Sequence, residues 1–249
     1  SALTFKELVS HIFKDVREDG ASGNLVTSSE KALRRIGTRE RTVLPAETPL
    51  TDFDSIRVRG DGRRYLILMI GAETEATEVP GGGAAIVAVF PEGSAEPQDM
   101  AEVKADRLCF FGETRLGLGP DDAFTIVNHH SNSNQAYLIT ELYRIQGGRF
   151  QLIDSVFTLS ATGLCENSLQ EVLTWQTEPD GASSHPKIVA AVSVRQGPGE
   201  DETPECLERG IKPRKLTFSE TYRWDKAKNR YSRGGNGFEA LDRLNEKNL

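Results

Sequence analysis

Apolar residues recur at helical spacing at the two ends of the chain and at strand spacing through its middle. Near the start, Phe5, Leu8, Val9, Ile12, Phe13 and Val16 fall on one helical face. Thr4 and Glu7 stand in the capping-box relation, in which each side chain satisfies a backbone donor of the first turn. Asp19-Gly20 and Ser22-Gly23 are expected to stop this helix. The same device in Thr27 and Glu30, followed by Leu33 and Ile36 and closed by Gly37, predicts a second short helix. A last helix is predicted to begin near Asn236, carrying Phe238, Leu241 and Leu244 on one side.

From about residue 50 to residue 233 the pattern is that of strands. Tyr65–Ile70 and Ala84–Phe90 are short apolar runs bounded by Gly60-Asp61-Gly62 and by Pro80–Gly83, the grammar of consecutive antiparallel strands. Phe124–Val127, Ala136–Ile145, Phe150–Leu159, Val172–Trp175, Ile188–Val194 and Leu216–Trp224 repeat it. In the last run Leu216, Phe218, Tyr222 and Trp224 share one face at period two, with Glu220 interrupting. Gly60–Ile67 can be laid over Gly119–Ile126, and Tyr143–Phe150 resembles Tyr222–Tyr231. The fold class expected is therefore mainly β with minor α, in repeated antiparallel meanders forming a large twisted sheet, a sandwich or a partial propeller-like closure. N-terminal helices and a C-terminal helix complete it. In domain terms, residues 1–45 form a helical segment packed on an antiparallel β domain of residues 46–249, with Pro198–Pro213 an exposed acidic loop.

Composition narrows the function classes. With 30 Lys and Arg against 37 Asp and Glu the formal charge is −7, and no concentrated basic tract is present to meet phosphates, so nucleic acid is not an expected partner. The short run Lys212-Pro213-Arg214-Lys215 lies against the acidic loop and reads as a solvated face. The longest apolar runs are far short of the roughly 20 residues of a membrane helix, so no membrane span is expected. Cys109 lies in an apolar setting, whereas Cys165 and Cys206 lie in polar, loop-like surroundings and are expected to form a disulfide joining two loops. The chain opens Ser1-Ala2-Leu3, which fits either a removed leader or a cloning remnant. With the cysteines, this favours a periplasmic or secreted protein.

Candidate chemistry centres on Asn128-His129-His130-Ser131-Asn132-Ser133-Asn134-Gln135, which holds two of the four histidines. The expected contact surface is Asn128, His129, His130, Asn132, Asn134 and Gln135, with Trp175 and His185 as neighbours. Adjacent histidines on a strand point to opposite faces, and the fixed ligand spacings of zinc sites are absent, so no metal and no cofactor is assigned. Gly60-Asp61-Gly62 and Gly119-Pro120-Asp121-Asp122 read as ordinary turns in preference to weak calcium loops, and Gly81-Gly82-Gly83 as a hairpin loop in preference to a phosphate cradle. Tyr222, Trp224 and Tyr231 read as core in preference to a sugar-binding platform. No nucleophile motif appears.

The run Phe218-Ser219-Glu220-Thr221-Tyr222-Arg223-Trp224-Asp225, a turn, then Arg230-Tyr231 and a closing helix resembles the ends of uncharacterised bacterial cell-envelope proteins. Leu118 through Gln135, with Asp154-Ser155-Val156-Phe157, is similar to the middle of the same group. The resemblance spans about residues 50–245. It implies a bacterial, exported, mostly β protein and brings no activity or catalytic residue with it. The Gly-Asp-Gly turns also resemble those of integrin-like blades, without their full acidic signature. The expected function is a non-enzymatic cell-envelope binding or interaction module for a protein, glycan or small-molecule ligand. The alternative is a hydrolase or metal-dependent enzyme using the His129/His130 loop.

Overall fold

The computed structural model describes residues 4–20, 23–36, 41–73, 83–103, 108–131, 135–162, 168–181, 183–197 and 213–247. Cys165, Cys206, Asn132, Asn134 and Gly81-Gly82 lie outside them, and with them the expected disulfide and most of the acidic loop. The elements in chain order are α1 (Phe5–Ile12), β1 (Val16–Glu18), β2 (Leu25–Thr27), β3 (Lys31–Arg35), β4 (Arg41–Leu44), β5 (Pro49–Gly60), β6 (Arg63–Glu73), β7 (Gly83–Pro91) and β8 (Asp99–Val103). There follow β9 (Leu108–Gly117), β10 (Asp122–Ser131), β11 (Gln135–Gln146), β12 (Arg149–Thr162), β13 (Ser168–Glu178), β14 (Lys187–Gly197), β15 (Arg214–Asp225), β16 (Arg230–Arg233) and α2 (Gly237–Asn245). The strands pair as two eight-stranded sheets, in the orders β1-β2-β5-β6-β7-β8-β3-β4 and β16-β15-β14-β13-β12-β11-β10-β9. The mainly β class and the eight named apolar runs are as the sequence predicts.

The chain forms two compact units, residues 1–128 with 142–152 and residues 129–141 with 153–249. In the first unit, α1 begins as predicted: Thr4 Oγ1 accepts the Glu7 N–H at 3.3 Å, and Glu7 Oε2 accepts the Thr4 N–H at 2.7 Å. It ends sooner than its apolar face implies. Phe13 is already extended, and Val16 joins β1 opposite Thr27.

The second predicted helix is absent, because its residues form β2 and β3. The Thr27 hydroxyl is drawn to a turn distant in sequence, donating to the Pro45 carbonyl and accepting the Thr48 N–H at 3.2 Å. β3 pairs antiparallel with β4 and parallel with β8, through Arg34↔Ala101 and Arg35↔Glu102. Of residues 1–45, then, the described helix is α1 alone.

The first sheet is buried on both faces within this unit. Residues alternate along β6: Tyr65, Ile67 and Met69 pack with Phe124, Ile126, Tyr143, Ile145 and Phe150, whereas Leu68 and Ile70 pack with Leu8, Val9, Ile12 and Phe13 of α1. The result is a sandwich with a helix on its outer face. The β5–β6 hairpin closes through Asp61 and Gly62, both at positive φ, the backbone that a two-residue turn between twisted strands requires.

In the second unit, β13, β14, β15 and β16 form successive antiparallel pairs. Glu220 interrupts the apolar face of β15 as predicted, and its burial has a purpose. Its carboxylate accepts the Thr221 N–H at 2.9 Å and the Gly237 N–H at 3.1 Å, seating the first turn of α2. Phe238, Leu241 and Asn245 are the buried face of that helix.

Candidate functional site

The histidines singled out by sequence stand on a strand, since β10 continues to Ser131. Asn128 is buried in the first unit. His129 and His130 open the second, half-buried. The His130 ring stacks on Tyr137 of β11 at 4.8 Å and 12°, and Tyr137 packs on Phe157 of β12 at 5.3 Å. Such cross-strand ring pairs are units of sheet stabilisation. Gln135 begins β11. Among the described residues no group of three His, Cys, Asp or Glu is placed to hold a metal ion.

Trp175 and His185 gather around β15. Trp175 packs on Tyr222 at 5.9 Å, and His185 lies flat on Trp224 at 4.2 Å and 9°. Tyr231 meets Trp224 edge-on and donates its hydroxyl to the Pro186 carbonyl at 3.0 Å. Tyr222 is fully buried and donates to Asp154, whose carboxylate also takes Arg233 Nε at 2.9 Å and Nη2 at 2.8 Å. Burial, then the Asp154 charge, pushes the Tyr222 phenol far above its ordinary range. Tyr222 and Tyr231 are interior, and the imidazole of His185 lies against the Trp224 face that a sugar would use.

The aspartate turns are tied to one another in the first unit. Asp121 accepts the Gly62 N–H at 3.3 Å and pairs with buried Arg144 at 3.2 Å. Asp122 takes the Arg59 N–H and guanidinium, both at 2.7 Å, and Asp61 accepts the Gly148 N–H at 3.1 Å. Their oxygens are engaged by protein donors, as structural turns require.

A cavity of about 400 Å³ opens in the first unit, lined by Leu8 of α1, by Arg57, Leu66 and Phe90 of the sheet, and by residues 91–95. Its position follows from element lengths. A helix of eight residues is about 12 Å long, whereas β6, with eleven residues, extends about 36 Å. The helix therefore leaves part of the sheet face uncovered. Arg57, Leu66 and Phe90 are directly paired across β5, β6 and β7, and so form one row on the face that α1 covers. The far wall is a turn, Pro91–Ser94, closed by the Ser94 N–H on the Pro91 carbonyl at 2.9 Å, with Gly93 at φ +83°. The His11–Glu96 contact at 3.1 Å joins that wall to α1.

Sequence reasoning missed this site. Arg57 lies in a stretch of mixed polarity, and only the register shows that it shares a row with two apolar side chains. Comparison with protein-family models, with curated proteins and with solved structures finds no match for this chain.

Proposed function

We propose that the chain is a non-enzymatic binding module of the bacterial cell envelope whose first unit captures a small molecule in the cavity between α1 and the first sheet. The observation that carries this reading is the cavity itself. Its volume of about 400 Å³ falls within the range of small-molecule sites, and its floor is apolar with few polar groups at the rim. The envelope setting rests on the resemblance of about residues 50–245 to bacterial cell-envelope proteins and on Cys165 and Cys206, whose polar sequence surroundings favour a disulfide. Intact mass with and without reductant tests their pairing.

Of the two histidines of the alternative hydrolase reading, His130 stacks on Tyr137. The binding reading is tested with N-phenyl-1-naphthylamine, a neutral apolar fluorophore, and the variant Ala95→Phe, which fills the cavity from its exposed wall. Saturable one-to-one binding to the native chain, lost in Ala95→Phe at unchanged melting temperature, is the expected result. Absence of saturable binding, or binding indifferent to Ala95→Phe, would overturn the proposal.

A further inference from the structure

We infer that the ligand of this cavity is a small amphipathic monoanion, an aliphatic carboxylate whose chain lies on Leu66 and Phe90 and whose head meets Arg57. The inference rests on the cavity reading above and adds the chemistry of the head group. Arg57 is exposed and lines the cavity in the same row as Leu66 and Phe90. It makes no ion pair or side-chain hydrogen bond among the described residues, whereas its neighbour two positions on, Arg59, is held by Asp122.

The acidic groups on the same wall are already answered. Glu92 lies 3.9 Å from Arg64, and Glu96 faces His11 at 3.1 Å. The Ser94 hydroxyl is taken up by the backbone of Glu96. Arg57, with no ion pair among the described residues, therefore stands beside an apolar floor. A guanidinium presents a planar fork of donors that matches a carboxylate at two points. An apolar tail of modest length fills the rest, and Leu8 closes over it.

The experiment compares octanoate, 1-octanol and octylamine as competitors for the naphthylamine probe, on the native chain, Arg57→Gln and Arg57→Lys. Octanoate is expected to bind at least about tenfold more tightly than either of the others. Arg57→Gln should remove that preference and Arg57→Lys should keep most of it. Octanol competing as well as octanoate, with no effect of Arg57→Gln, would overturn the anionic assignment and leave the cavity reading standing. Preference for octylamine would overturn it in favour of Glu92 as the anchor. Failure of the probe itself and of all three competitors would overturn the cavity reading.

Discussion

Asn245 Nδ2 donates to Glu171 Oε2 at 3.1 Å, joining the last residue of α2 to the first half of β13, and the same carboxylate oxygen accepts the Leu159 N–H at 2.9 Å. Both side chains are buried. Burial raises the Glu171 carboxyl above its ordinary value of 4.5, and the two donors only partly oppose it.

A raised folded-state value fixes the sign of the pH dependence. Below about pH 4.5 both folded and unfolded chains hold the proton, and the contribution of Glu171 is fully present. As pH rises the unfolded chain releases its proton first, so that contribution is lost through the folded-state value. Urea unfolding between about pH 4.5 and pH 8 should show Glu171→Gln with a flatter profile than the native chain, and relatively more stable at the upper end. An unchanged slope would show that Glu171 does not titrate in this way.

The buried pair Asp121–Arg144 predicts a different outcome, with both side chains under a tenth exposed. Removing one member leaves the other buried with its compensation reduced, so Asp121→Ala should cost about 3–5 kcal/mol. The double variant Asp121→Leu with Arg144→Met should cost less than Asp121→Ala alone, because neither charge is left inside. Equilibrium denaturation of the single and double variants measures both.

Tyr222→Phe removes the hydroxyl that donates to Asp154 and leaves the Arg233 bonds in place. A hydrogen bond to a charged group is worth about 1.5–3 kcal/mol, and a loss in that range is expected. Since its phenol is held far above the usual range, Tyr222 should ionise only when the chain unfolds in alkali. The ultraviolet titration of native protein should therefore be the same in Tyr222→Phe up to the unfolding pH.

Gly237 opens α2 where an added Cβ would lie 1.9 Å from the Ser219 carbonyl oxygen, a backbone atom that cannot swing aside. Gly237→Ala should destabilise by about 1–3 kcal/mol. Gly117 has open space around it and an ordinary φ, so Gly117→Ala should be neutral or stabilising by under about 1 kcal/mol. Melting temperatures of the two variants separate a packing effect from a general intolerance of alanine.

What the sequence by itself determined is what local periodicity and capping encode. The α1 start, the runs now in β6, β7 and β10 to β15, the two-residue turn at Asp61-Gly62 and the closing helix follow from side-chain alternation and turn chemistry within a few residues. The same local grammar misread Thr27–Ile36, because pairing with β4 and β8 overrode a capping signal that the Thr27 hydroxyl spends on Pro45 and Thr48. Only the tertiary structure decided which residues share a row or a cavity. Arg57 meets Leu66 and Phe90 through strand register, His185 stacks on Trp224 of β15, and Asn245 meets Glu171 across 74 positions of chain. Register and long-range packing are set by burial of whole faces, a property of the assembled sheet that no short window of sequence contains.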